Sequence, residues 1–402
     1  MATIVVLGTF DTKGPEHAFL AARIRDLGHD PLLVDAGGFD TVHLAADVTR
    51  ERVAAEAGLD LAALRRQADR GAMVTAMAAA AAKVVRRLHG EGRLAGIVSM
   101  GGSGGTAIGT AAMRALPLGV PKVMVSTLAS GNVAPYLDVS DIVMMPAVSD
   151  VAGINAFTRG QFTRAAAVVC ALVDASACLA RSAGTDSKPL VVASMFGNTT
   201  PCVERARGLL EAAGRDVVVF HATGTGGRTM ESFIESGIVS GVLDVTTTEW
   251  ADEFVGGILG AGPDRLSAAA RRGVPAVIAP GCLDMVNFGA PETVPDSFAD
   301  RRFHRHNAQV TLMRTTPEEC RGLGRILAEK VNASVGPATV LLPLRGISLI
   351  SVEGQPFHDA AADDALFSAI RKWLSPGIPL VELDCAINDP AFADACVERL
   401  IG

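Results

Sequence analysis

The chain has 402 residues, 49% hydrophobic and 20% charged, with a formal net charge of −7. That length implies two packed domains, and the apolar fraction excludes a disordered chain. The acidic balance supplies no field for a phosphate backbone, so general nucleic-acid binding is not expected.

The amino terminus, Met1-Ala2-Thr3-Ile4, opens directly into an apolar strand without a basic segment or cleavage site, so a cytoplasmic location is expected. The longest apolar run, residues 165–173, is closed by Arg164 and Asp174, short of the roughly 20 residues that span a bilayer, and no membrane partner is expected. Seven cysteines without C-x-x-C spacing argue against a disulfide framework or a zinc knuckle and fit a reducing compartment.

Short β-branched runs alternate with alanine-rich stretches of helical period, the pattern of βαβ units around a parallel sheet. The first half predicts strands over 4–7, 31–34, 96–100, 122–125 and 141–145, with helices over 16–27 and 71–89 closed by Gly28 and Gly90. Residues 181–189 are small, polar and punctuated by Gly184 and Pro189, which places a boundary between domains at 1–183 and 189–402. The second half predicts strands over 190–194, 216–220, 241–245, 276–279, 309–313, 338–342 and 380–383. Each half opens with a strand, a Gly/Thr-rich loop containing a proline, and a helix, so divergent duplication is a hypothesis. The expected fold is α/β: two Rossmann-like, doubly wound parallel-sheet domains facing a central cleft, with ligands at the carboxyl ends of the strands.

Most chemistry-bearing loops fall at such ends. Thr9, Asp11 and Lys13 lie in the first βα loop, where Lys13 can neutralise a phosphate and Asp11 can hold Mg²⁺. Equally, Asp11 caps a helix and Lys13 is solvated. Asp35 ends the second strand, where it either meets a ribose hydroxyl or starts the Gly37-Gly38 turn. Gly101, Gly102, Ser103, Gly104, Gly105 and Thr106 form a glycine-rich loop before a helix, suited to an anion, although glycine also serves a tight strand-to-helix turn. It is neither a Walker A loop nor a full dinucleotide fingerprint. Ser126 and Gly131 follow the fourth strand and face the same mouth.

In the second half, His221 and Arg228 flank a Gly-rich loop, an imidazole for proton transfer and a guanidinium for a carboxylate or phosphate. Glu249 and Asp284 stand at neighbouring strand ends, completing the minimum for acid/base work, or else cap helices. His304 and His306 are an H-x-H pair whose use as a metal site requires an extended backbone and a third ligand, and His306 is preferred as a hydrogen-bonding or acid/base residue. Arg314 closes the next strand beside Thr315 and Thr316 and can meet an anion.

The segments at 8–14, 101–106, 220–224, 283–289, 306–307 and 311–316 together resemble the Tm-1-like ATP-binding family, also called UPF0261, in order and along nearly the whole chain. The resemblance implies two Rossmann-like subdomains, ATP bound in the amino-terminal half through Thr9, Asp11, Lys13 and the 101–106 loop, and self-association as a homodimer or higher oligomer. Plant members carry a further C-terminal barrel domain; a stand-alone form without it is expected here, so their antiviral role is not carried over. For His221, Glu249, Asp284 and His306 the resemblance supplies motif positions without roles.

The leading expectation is an ATP-binding protein holding Mg-ATP in its first half and presenting a small anionic metabolite, clamped by Arg228 and Arg314, to the His/carboxylate cluster of the second. The alternatives are an ATP-independent lyase, isomerase or hydrolase of a sugar acid or other small carboxylate, and a non-catalytic nucleotide-responsive binding protein. A dehydrogenase ranks last, because both candidate fingerprints depart from the pattern.

Overall fold

The computed structural model describes residues 1–182 and 188–402; residues 183–187, in the middle of the expected boundary, lie outside the described residues. The chain divides into two compact units, Met1–Asp186 and Ser187–Gly402.

Unit 1 runs β1 (Thr3–Gly8), α1 (Phe10–Asp26), β2 (Asp30–Asp35), α2 (Arg50–Glu56), α3 (Leu61–Gln67), α4 (Arg70–Gly90), β3 (Gly96–Gly101), α5 (Ser103–Arg114), β4 (Lys122–Ser126), α6 (Ala134–Leu137), β5 (Val143–Pro146) and α7 (Ala156–Ser182). Its five strands are parallel in the order β2-β1-β3-β4-β5. Alternate residues of β1 serve opposite layers. Val5 and Leu7 pack with Met77, Ala81 and Val84 of α4 and Ile108 of α5, whereas Ile4 and Val6 pack with Leu20 and Ile24 of α1 and Phe162 and Val169 of α7. With both faces covered, a continuous apolar strand is what the sheet requires. The strand order reverses between β1 and β3, and there the loops at 9–13 and 101–106 leave the sheet side by side.

Residues 156–180 of α7 form one helix long and apolar enough to cross a membrane by length and composition, because the helix continues past Arg164 and Asp174, which bound the apolar run in the sequence. Phe162, Ala165, Ala166, Val169 and Val173 of that helix are buried in the second layer.

Unit 2 runs β6 (Leu190–Met195), α8 (Thr200–Ala212), β7 (Asp216–His221), α9 (Thr225–Glu235), β8 (Val239–Thr246), α10 (Glu249–Val255), α11 (Ala268–Arg272), β9 (Ala276–Gly281), β10 (Met285–Phe288), β11 (Phe303–Arg305), β12 (Thr311–Arg314), α12 (Pro317–Asn332), β13 (Ala338–Pro343), α13 (Ala360–Trp373), β14 (Leu380–Leu383) and α14 (Pro390–Ile401). Six parallel strands take the order β14-β13-β9-β8-β6-β7. Counted from its own first strand, this repeats the reversal of unit 1 and adds one strand at the far edge.

The strand expected over 309–313 does form, but as β12 in a separate antiparallel sheet ordered β10-β12-β11. An apolar run carries no record of its partner's direction. Here β11 turns back through the Asn307 loop, whose side-chain oxygen accepts the Gln309 N–H at 2.8 Å, so β12 pairs with its own hairpin.

Candidate functional site

At the β1/β3 reversal of unit 1 lies a cavity of about 430 Å³ lined by Thr9, Asp11 and Thr12, the segment around Gly38 and Phe39, the α3–α4 turn with Arg65 and Arg70, and Gly104 and Gly105 of α5. Met73, Val74, Met77 and Ile108 supply an apolar wall. The α5 N-cap is Gly102, which offers no side chain to its first turn. The leading amides of a twelve-residue helix therefore open with their partial positive charge uncompensated. Glycine is required here for closeness too: a Cβ on Gly101 would stand 3.0 Å from the Gly105 Cα.

Asp11 is 5% exposed. Its Oδ2 accepts the Phe39 N–H at 2.8 Å and lies 4.0 Å from Arg50 Nη1, while Oδ1 is buried with no hydrogen-bond partner. A bare buried carboxylate oxygen is costly unless a donor or cation meets it, and Asp11 lines the cavity. Asp35, by contrast, is fully engaged. Its Oδ1 accepts Phe10 N and Gly37 N, and its Oδ2 takes Arg50 Nε at 2.7 Å, so it builds the turn at Gly37 and has no oxygen left for a ribose.

The other expected ligands separate into two groups. Gly104 and Gly105 line the cavity, and Gly101, Gly102 and Ser103 adjoin them along the chain. Thr106 and Ser126 are buried and share a 2.7 Å hydrogen bond that ties β4 to α5. Ser126 also accepts Leu128 N, so both hydroxyls hold the β4–α5 junction. Gly131 sits exposed in the loop after β4. Lys13 occupies a kink in α1 with φ −132° and ψ 27°. Its carbonyl accepts the His17 Nδ1–H at 2.7 Å, and it is not among the residues that line the cavity. Burial pushes the His17 pKa down, consistent with a neutral ring.

In unit 2 the expected acid/base residues do not form one cluster. Glu249 is completely buried. One oxygen accepts the Gly224 and Gly227 N–H groups at 2.7 and 3.0 Å, and the other takes Arg265 Nε at 2.6 Å. A side chain on Gly227 would collide with that carboxylate, which explains the glycine-rich loop without a ligand. Arg265, 1% exposed, also reaches Asp244 through Nη2 at 2.7 Å and approaches Glu231 at 3.3 Å. Burial works to lower the Arg265 pKa, yet the Asp244 and Glu249 carboxylates hold it well above its ordinary value. Glu231, accepting the amides of Leu266, Ser267 and Ala268, is pushed up by burial against the opposing pull of Arg265.

His221 is exposed at the end of β7, its ring 5.3 Å from that of Phe196, and Arg228 is exposed on the first turns of α9. Asp284 is fully buried, with Oδ2 accepting Ser348 Oγ–H at 2.8 Å and Oδ1 unpartnered. Burial raises its pKa to about 6 despite nearby Arg314. Arg314 is itself buried, donating to the Phe357 carbonyl at 2.8 Å and to Asp363 at 2.6 Å, which leaves its guanidinium inside a structural network. His306 is exposed in the β11–β12 hairpin, where its amide donates to the Val310 carbonyl. Among the described residues no group of three His, Cys, Asp or Glu side chains is placed to hold a metal ion.

Residues 2–178 match the Uncharacterised protein family (UPF0261) N-terminal domain, and residues 188–402 match the Uncharacterised protein family (UPF0261) C-terminal domain. The chain belongs to UPF0261. It is 49% identical to a UPF0261 protein of Rhizobium meliloti and 44% identical to one of Clostridium tetani, each match covering 99% of this chain and 98% of the relative. It is 38% identical to the ToMV resistance protein Tm-1 of Solanum lycopersicum over 83% of this chain, spanning 44% of that protein's length. A putative UDP-N-acetylglucosamine 2-epimerase structure from Listeria monocytogenes, 10% identical, covers 69% of this chain and 78% of its own with a TM-score of 0.24, a likeness too slight to carry an argument.

Within this UPF0261 chain, sequence patterning misses the α3–α4 side of the cavity. Arg65 bonds the Gly38 carbonyl at 2.7 Å and pairs with Asp40, and Arg70 stands exposed at the first position of α4. Neither lies in a glycine-rich loop, and the available signal was only Asp69, which reads as an N-cap and does accept Ala72 N at 3.0 Å. Arg265 was missed because a lone arginine in a loop carries no pattern.

Proposed function

We propose that unit 1 is a nucleotide-binding domain that takes ATP. The observation that carries this is the cavity at the β1/β3 reversal, which joins the uncapped amino terminus of α5 to an apolar wall. Phosphates suit the helix terminus, with Arg70 as the nearby cation, and a base suits the Met73, Val74 and Met77 side. Mg²⁺ fits as a companion of the nucleotide. Asp11 Oδ1 is the orphaned carboxylate oxygen there, and one carboxylate with phosphates and waters is an ordinary set for this ion. When bound, the ion would screen charge between the phosphates and Asp11.

Calorimetry with Mg-ATP tests the reading. The wild-type chain should bind, Arg70→Ala should weaken binding about tenfold, equivalent to about 1.4 kcal/mol, and Lys13→Ala should change it little. Absence of ATP binding by the wild type, or an unchanged affinity in Arg70→Ala, refutes the placement of the phosphates.

A further inference from the structure

Given a nucleotide in unit 1, as proposed, we infer that Phe39 is the stacking platform for its base and that the site prefers purines. Phe39 lines the cavity and at 57% is the most exposed phenylalanine among the described residues. Its backbone is held firmly. The Phe39 N–H donates to Asp11 Oδ2 at 2.8 Å, its carbonyl accepts from Arg50 and from Arg65 Nη2, and the preceding carbonyl of Gly38 accepts Arg65 Nε.

The two glycines before it allow this fixation. A Cβ on Gly37 would lie 2.6 Å from the Asp11 carboxylate carbon, and one on Gly38 would lie 2.5 Å from Met73 Cγ. The segment is thus laid directly on Asp11 and α4. An aromatic ring on a fixed backbone, with one side open to a cavity, is pre-organised to stack a planar ligand at small entropic cost. Stacking grows with the ring area overlapped, which favours a purine over a pyrimidine. Asp11 links this platform to the rest of the site, since one oxygen holds Phe39 and the other is bare.

The experiment compares wild type, Phe39→Ala and Phe39→Trp in the full chain, titrated by calorimetry with the magnesium salts of ATP, CTP and inorganic tripolyphosphate. Wild type should bind ATP more tightly than CTP and tripolyphosphate. Phe39→Ala should lose roughly ten- to a hundredfold in ATP affinity, less for CTP, and none for tripolyphosphate. Phe39→Trp should keep ATP affinity and show indole quenching on ATP addition that wild type lacks. ATP and tripolyphosphate binding equally to wild type would overturn the stacking role while leaving the phosphate site intact. Equal losses for both ligands in Phe39→Ala would mark a structural role, and an altered oligomeric state of Phe39→Ala without loss of ATP affinity would mark a contact between copies; either outcome overturns it. No binding of any of the three ligands to wild type removes the nucleotide reading itself.

Discussion

Replacing Glu249 separates a structural carboxylate from a catalytic one. In Glu249→Ala the buried N–H groups of Gly224 and Gly227 lose their acceptor, at about 1–3 kcal/mol each, and Arg265 loses its Nε partner while retaining Asp244. Part of that cost is offset, because among the described residues Arg265 is the one cation paired with Glu231, Asp244 and Glu249, and removal of one carboxylate relieves mutual repulsion. The net expectation is a loss of about 3–5 kcal/mol, in the range for breaking a buried pair. Glu249→Gln keeps the shape and an oxygen for both amides but turns its NH2 group toward the Arg265 Nε–H, donor against donor, and should cost about 1.5–3 kcal/mol. Guanidinium denaturation followed by tryptophan fluorescence reads this cleanly, since both tryptophans, Trp250 and Trp373, lie in unit 2. If Glu249→Ala unfolds within about 1 kcal/mol of wild type, the carboxylate does not hold the 224–227 loop and the structural assignment fails.

Asp284 gives a pH signature. Its folded pKa of about 6 exceeds its ordinary value of 3.8, so the folded state binds this proton more tightly. The resulting stabilisation is complete below about pH 4 and is lost as pH rises through about 6. The gap corresponds to roughly 3 kcal/mol, so the stability of Asp284→Asn relative to wild type should improve by up to that amount between pH 4 and pH 8; a pH-independent difference contradicts the burial argument. In unit 1, Gly37→Ala forces a Cβ against the Asp11 carboxylate. It should cost roughly 1–3 kcal/mol, as overpacking does, and lower ATP affinity as the 37–41 segment lifts; circular dichroism melts and calorimetry check the two effects, and wild-type values for both would refute the close approach.

Much of the fold was legible along the chain. Residues 4–7 and 31–34 are apolar at every position and residues 96–100 at all but Ser99, as doubly covered parallel strands require, and the structure extends each by a residue or two as β1, β2 and β3. The short helices α2 and α3 escaped, because seven residues hold too few turns to display a period. The glycine-rich loop at 101–106 was legible as a helix approach, and Gly104 and Gly105 line the cavity. Its threonine was not: Thr106 looks the same in sequence whether it meets a ligand or Ser126.

By itself the sequence determined two α/β units with a parallel sheet each, since apolar periodicity and turn residues act over a few positions and need no knowledge of the partner. Only the tertiary structure decided which polar groups have neighbours. Glu249, Arg265 and Asp244 come from different segments and meet only when the sheet assembles, and the bare oxygen of Asp11 becomes apparent only after Phe39 has claimed the other. Burial and pairing are properties of three-dimensional neighbourhood, so the roles of charged residues emerge last.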